Sequence, residues 1–204
     1  CSFRFPSPET TLRAGRALGR AFAEAEGAGA LAGPAVVALC GELGVGKTVF
    51  AKGVGTAFGY AAGDLTSPTF TIANAYPLPS GGELVHVDAY RLDRPAELRS
   101  AGVEDAFEAG NLLLVEWADR FPEALPDDRL ELVLRRAAAA GLVGSAGVGD
   151  ATASAPERAA AAAVEVEAHA GGPEAALLLA RWREVLAALA DDAGGDAPKP
   201  ARGA

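Results

Sequence analysis

The 204-residue chain has no methionine, two cysteines and three lysines. Two thiols, Cys1 and Cys40, cannot build the disulfide framework of a small secreted domain, so a reducing compartment is expected. No apolar run approaches the ~20 residues of a membrane-spanning helix. No basic stretch leads through an apolar segment to a cleavage site, and Cys1 without such a segment is not read as a lipid anchor. A soluble, cytoplasmic protein with no membrane contact is the expectation. Positive charge is also short, because 18 Lys plus Arg face 27 Asp plus Glu, for a net charge of −9. Binding to a polyanion grows with the number of phosphates neutralised, so this balance argues against a broad electrostatic grip on nucleic acid. Any RNA would be held by a partner. The length suits one α/β domain with a full core and falls short of two.

One of the three lysines, Lys47, stands in the most informative stretch of the chain. Gly41, Gly46, Lys47 and Thr48 satisfy G-x-x-x-x-G-K-[ST], with Glu42, Leu43, Gly44 and Val45 between them. Residues 34–40 read as a buried strand before the loop, and a helix opens near Lys47, which is the setting this motif needs. Glycines at 41, 44 and 46 let the backbone take positive φ, so its N–H groups converge on an anion with no Cβ in the way. The helix N-terminus adds its dipole. Lys47 then reaches the β- and γ-phosphates as a point charge, and the Thr48 hydroxyl ligates the Mg²⁺ between them. Residues 41–49, ending at Val49, are therefore the expected nucleotide-contacting segment. The bland alternative is a Gly-rich helix cap, but a composition so averse to lysine keeps one at the phosphate position.

Around the loop, residues 10–25 carry Leu12, Leu18, Ala21, Phe22 and Ala25 near helical spacing, with Ser7 or Thr10 as N-cap. The loop helix is expected over 47–58. Residues 67–76 and 83–90 read as strands around a Gly-rich turn, a β-hairpin. Pro95 starts a short helix, residues 111–117 form an apolar strand ending in a carboxylate, and residues 129–135 alternate as a half-buried strand. Residues 137–162 are Ala- and Gly-dominated and read as a flexible surface insertion. A strand at 163–168 pairs with 129–135 across it, and residues 173–189 form a closing amphipathic helix. One domain spans 1–190, followed by a disordered tail at 191–204.

Hydrolysis needs a carboxylate for the metal or its waters and a group to orient the attacking water. In open α/β sheets the ligand lies beyond the C-terminal ends of the strands, so strand-end carboxylates are the candidates. Glu116 follows Leu112, Leu113, Leu114 and Val115, and Asp88 follows Leu84, Val85, His86 and Val87. Spacing leaves open which of them meets Mg²⁺ and which handles water. Thr69, in Ser67-Pro68-Thr69, either reaches the metal or γ-phosphate as a switch segment does or belongs to a plain turn. Trp117 reads as packing, His86 as a core histidine, and Arg91 and Arg94 as solvated.

The full set resembles the TsaE family. It comprises the loop with Phe50, Gly59-Tyr60, Ser67 to Thr71, Tyr76, His86-Val87-Asp88-Ala89-Tyr90-Arg91-Leu92, Glu97-Leu98, Gly102 and Glu116-Trp117, over about residues 6–136. These are small bacterial ATPases of tRNA threonylcarbamoyladenosine biosynthesis. The resemblance implies an α/β P-loop NTPase fold with a mostly parallel central sheet flanked by helices. It also implies ATP and Mg²⁺ as cofactors and the TsaB and TsaD proteins as partners, with tRNA met only through the complex. By the same resemblance Thr48 and Glu116 hold Mg²⁺, Asp88 supports hydrolysis, Thr69 lies in a mobile loop near the γ-phosphate, and residues 7–11 lie near the base. Ala89, Ala118-Asp119 and the 137–162 insertion depart from the family pattern. The competing readings are a small P-loop kinase acting on a nucleoside or metabolite, and a nucleotide-dependent binding module without turnover.

Overall fold

The computed structural model describes residues 1–66, 68, 71–98, 103, 105–137, 163–192 and 199–200. In chain order the elements are β1 (Ser2–Phe5), α1 (Pro8–Gly27), β2 (Ala35–Gly41), α2 (Lys47–Thr56), β3 (Ala73–Pro77) and β4 (Glu83–Asp88). There follow α3 (Pro95–Leu98), β5 (Leu112–Glu116), β6 (Leu130–Arg136), β7 (Val164–Ala170), α4 (Pro173–Asp192) and β8 (Lys199–Pro200). They form one eight-stranded sheet in the order β3-β4-β5-β2-β6-β7-β1-β8. The centre, β4-β5-β2-β6, is parallel; β3 pairs antiparallel with β4 on one side, and on the other β6-β7, β7-β1 and β1-β8 are each antiparallel pairs.

The central strands are apolar at nearly every position because both faces of the sheet are covered. On one face Val37, Leu39, Leu84, Leu112 and Leu114 pack beneath α1, α2 and α4. On the other, Val36, Ala38, Val85, Val87, Leu113 and Val115 meet Leu92, Leu98, Phe121 and Leu125 from the segments that follow β4 and β5. Helix α1 starts sharply. Ser7 caps it through a capping box, its hydroxyl accepting from the Thr10 N–H at 3.2 Å while the Ser7 N–H donates to Thr10 Oγ1 at 2.9 Å. Helix α4 is pinned to α1 by Trp182, fully buried, whose indole N–H donates to the Ala14 carbonyl at 2.9 Å.

The hairpin forms as expected, with Ala73 to Pro77 paired to Val87 to Glu83. Its first strand is shorter than the expected 67–76, because the N–H groups of Thr71 and Ile72 turn back onto the Pro68 carbonyl at 3.1 and 2.7 Å. Ser67, Thr69 and Phe70 lie outside the described residues, as do residues 138–162 of the expected insertion. Strands β6 and β7 pair antiparallel across that gap. Three further features differ from the sequence reading. Strand β1 is absent from it, and Lys199–Pro200, in the stretch read as a disordered tail, pairs with Phe3 and Arg4 of β1. Helix α4 also runs on to Asp192.

Candidate nucleotide site

The loop between β2 and α2 is closed by its own side chains. Gly41 sits at φ +132°, and a Cβ there would lie 2.2 Å from the Leu134 carbonyl oxygen, so only glycine lets β2 leave the sheet at this point. Gly46 at φ +119° is the N-cap of α2 and offers no side chain, so the first N–H groups of the helix keep their capacity for an anion. Val45 is buried in the core and anchors the loop from below. Lys47 Nζ donates to the Gly41 carbonyl at 2.6 Å and the Glu42 carbonyl at 2.8 Å. Burial pushes its ammonium pKa down from the ordinary value, while Glu116, Asp119 and Asp88 act in the opposite sense.

Strand register delivers the carboxylates. Asp88 and Glu116 are paired positions at the ends of adjacent parallel strands, and Glu116 is also opposite Leu39, two residues before Gly41. Both are buried. Glu116 Oε2 accepts from the Thr48 hydroxyl at 2.8 Å, which ties the end of β5 to the first turn of α2. Asp88 Oδ1 accepts from the Tyr90 N–H at 3.0 Å, and the Asp88 N–H donates to the Ile72 carbonyl at 3.0 Å, joining it to the turn after Pro68. A cavity of about 340 Å³ opens here, lined by Leu43, Gly44, Gly46, Lys47, Thr48, Val49, Asp88, Tyr90, Glu116 and Trp117. That is room for a small polyanion with its counter-ion.

Two side chains read as core from the sequence belong to this site. Trp117, in the left-handed region at φ +59°, turns its ring to 3.6 Å from Lys47 Nζ, a cation–π contact, and packs on Tyr90 with centroids 4.8 Å apart. Arg120 braces the pair, donating to the Tyr90 carbonyl and, at 2.8 Å, to that of Leu92. His86 is buried as expected, but its Nε2 lies 2.8 Å from Glu116 Oε1. The available signal was its place two residues before Asp88, hence on the same face of β4. Arg94 pairs instead with Glu97 at 3.2 Å on the surface. Thr11 lies beside the loop, with its Cγ2 3.7 Å from where a Cβ on Gly46 would stand. Thr69 lies outside the described residues.

The oxygen donors fit a small hard cation. Among the described residues no cluster of three His, Cys, Asp or Glu side chains could cage a metal. A hydroxyl and a carboxylate at 2.8 Å from one another suit Mg²⁺, which keeps several waters and takes its other ligands from substrate phosphates.

A glycine loop held in this shape at the end of a central parallel strand, with carboxylates from neighbouring strands facing it, defines a P-loop nucleotide-binding protein. Within that class, residues 5–141 match the family model described as Threonylcarbamoyl adenosine biosynthesis protein TsaE. That span is more than half of the chain, and the chain belongs to the TsaE family. A Streptomyces coelicolor protein named tRNA threonylcarbamoyladenosine biosynthesis protein TsaE is 42% identical over 123 residues, 60% of this chain and 79% of the relative. Its Bacillus subtilis namesake is 40% identical over 105 residues, 50% of this chain and 62% of the relative. The crystal structure of Bacillus subtilis YdiB superposes with a TM-score of 0.55 at 26% identity, covering 90% of this chain and 94% of that one. No helix among the described residues is long and apolar enough to cross a membrane.

Proposed function

We propose that the chain is a Mg²⁺-dependent ATP hydrolase of the cytoplasm, required to form the threonylcarbamoyl group on the adenosine next to the anticodon of tRNAs reading codons that start with A. It acts with TsaB and TsaD and meets tRNA through them. The names of the relatives support the pathway. The observation that carries the catalytic reading is the 2.8 Å contact between the Thr48 hydroxyl and Glu116 across the mouth of the phosphate loop.

In this reading the backbone of residues 41–49 cradles the phosphates, and Lys47 moves its charge from the Gly41 and Glu42 carbonyls toward the γ-phosphate. Thr48 and Glu116 hold Mg²⁺, which when bound neutralises charge building on the β- and γ-phosphate oxygens. Asp88, tethered to Tyr90 and buried beside Glu116, orients the attacking water. The family resemblance assigns Thr69 a place near the γ-phosphate. A P-loop kinase carries an Arg-rich lid over the transferred phosphate, and the one candidate segment, residues 137–162, has only Arg158.

Turnover of ATP by Lys47→Ala, Asp88→Ala and Glu116→Ala, with and without TsaB and TsaD, tests the assignment. Each variant is expected to lose about 10²-fold or more of the rate. Unimpaired turnover by Glu116→Ala would sink its role, and transfer of the γ-phosphate to a small acceptor instead of release as inorganic phosphate would make the chain a kinase.

A further inference from the structure

Alternation along β4 sets His86 on the same face as Leu84 and Asp88, the face of the sheet that meets the helix-covered core. The imidazole is wholly buried. Its Nε2 meets Glu116 Oε1 at 2.8 Å, while its Nδ1 has no hydrogen-bond partner among the described residues. The other oxygen of Glu116 takes the Thr48 hydroxyl. A carboxylate that already takes the Thr48 hydroxyl at Oε2 is suited to accept a second hydrogen bond at Oε1, which the imidazole can supply from Nε2. As mere filling, an imidazole with one orphaned nitrogen is a poor choice beside a leucine, which would occupy the same slot with no polar atom to desolvate.

The contact has a purpose if Glu116 must present one oxygen in one direction. A glutamate has three rotatable side-chain bonds, and a carboxylate anchored at a single oxygen can swing about that anchor. Tied at Oε1 by His86 from β4 and at Oε2 by Thr48 from α2, it is fixed between a strand and a helix. We propose that His86 is a positioning residue, held as the Nε2–H tautomer, that locks the Glu116 carboxylate with Oε2 turned to Thr48 and the phosphate loop. This rests on the reading above in which Thr48 and Glu116 hold Mg²⁺.

The chain has two histidines, and the second, His169, is exposed on β7, which makes a ¹⁵N-histidine-labelled sample easy to assign. Long-range ¹H–¹⁵N correlation spectra of the full, metal-free chain read the tautomer directly. The expected result is a single Nε2–H form for His86, and a proton on Nδ1 would overturn the proposal. Two variants then separate positioning from packing. His86→Leu should raise the Mg²⁺ concentration for half-maximal turnover by about tenfold, with little change in the KM for ATP. His86→Gln, whose amide nitrogen can still donate to Glu116, should recover most of that loss. Equal Mg²⁺ dependence in both variants and the parent, at matched thermal stability, would overturn it. If His86→Leu fails to fold, the tautomer and the His86→Gln variant still decide. Unimpaired turnover by Glu116→Ala would remove the metal-ligand reading beneath the proposal, and that failure is distinguishable because the tautomer is read without metal.

Discussion

Cys40 occupies the last buried position of β2, directly before the phosphate loop, and burial with Glu131 and Asp119 nearby pushes its thiol from 9.0 up to about 12. The thiolate is the reactive species, so a thiol reagent at about pH 8.5 should modify exposed Cys1 and leave Cys40 intact until the chain is unfolded. Mass spectrometry of the labelled protein reads this, and double labelling of the folded chain would contradict it. Because the folded thiol keeps its proton where the unfolded one releases it, its contribution to stability is full below about pH 9 and drains away as pH rises through 12. That Lys47, Thr48, Asp88 and Glu116 would face one cavity was legible in the sequence, because a loop motif and the ends of two apolar strands are local patterns. The places of His86 and Trp117 were not. A lone histidine inside an apolar strand has no local pattern, and its meeting with Glu116 depends on β4 and β5 lying side by side. The left-handed turn that aims Trp117 at Lys47 has no signature in its neighbours.

Helices α1 and α2 touch backbone to backbone, which is possible only through glycine. A Cβ on Gly15 would lie 2.1 Å from the Phe50 carbonyl oxygen, and one on Gly53 would lie 2.1 Å from that of Leu12. In an isolated helix Gly53→Ala would stabilise by about 1 kcal/mol. Here the added methyl must drive the helices apart, with an overpacking cost of ~1–3 kcal/mol. The expected outcome is a thermal midpoint lowered by several degrees together with weaker ATP binding, since α2 begins with Lys47 and Thr48. A raised midpoint in a melting experiment would contradict the close approach. Periodicity and apolar runs identified the main helices, the hairpin and the strands that carry the site, because those signals are local. The helix contact stayed hidden, since a glycine inside a helix looks like weakness until its neighbour is known. Strand β1 was missed because four residues ending before Pro6 are too few for alternation to register.

At the scale of the whole molecule, a net charge of −9 argues against a broad electrostatic grip on tRNA by the isolated chain at about 0.15 M salt, and the proposed function assigns that grip to its partners. Filter binding or gel shift should detect tRNA association only when TsaB and TsaD are added. Salt-sensitive binding by the chain alone would overturn that division of labour. The parallel centre of the sheet was expected from the family resemblance, whereas the order β4-β5-β2-β6 was not, because pairing between distant strands leaves no mark on either one. The chain's two tryptophans divide along the same lines. Trp182 is sealed between Phe3 and Phe50 in the core, while Trp117 lies half-buried against the lysine charge of the loop. The native emission is therefore two optical channels, one sensing whether the core is intact and the other sensing the electric field where the phosphates would lie.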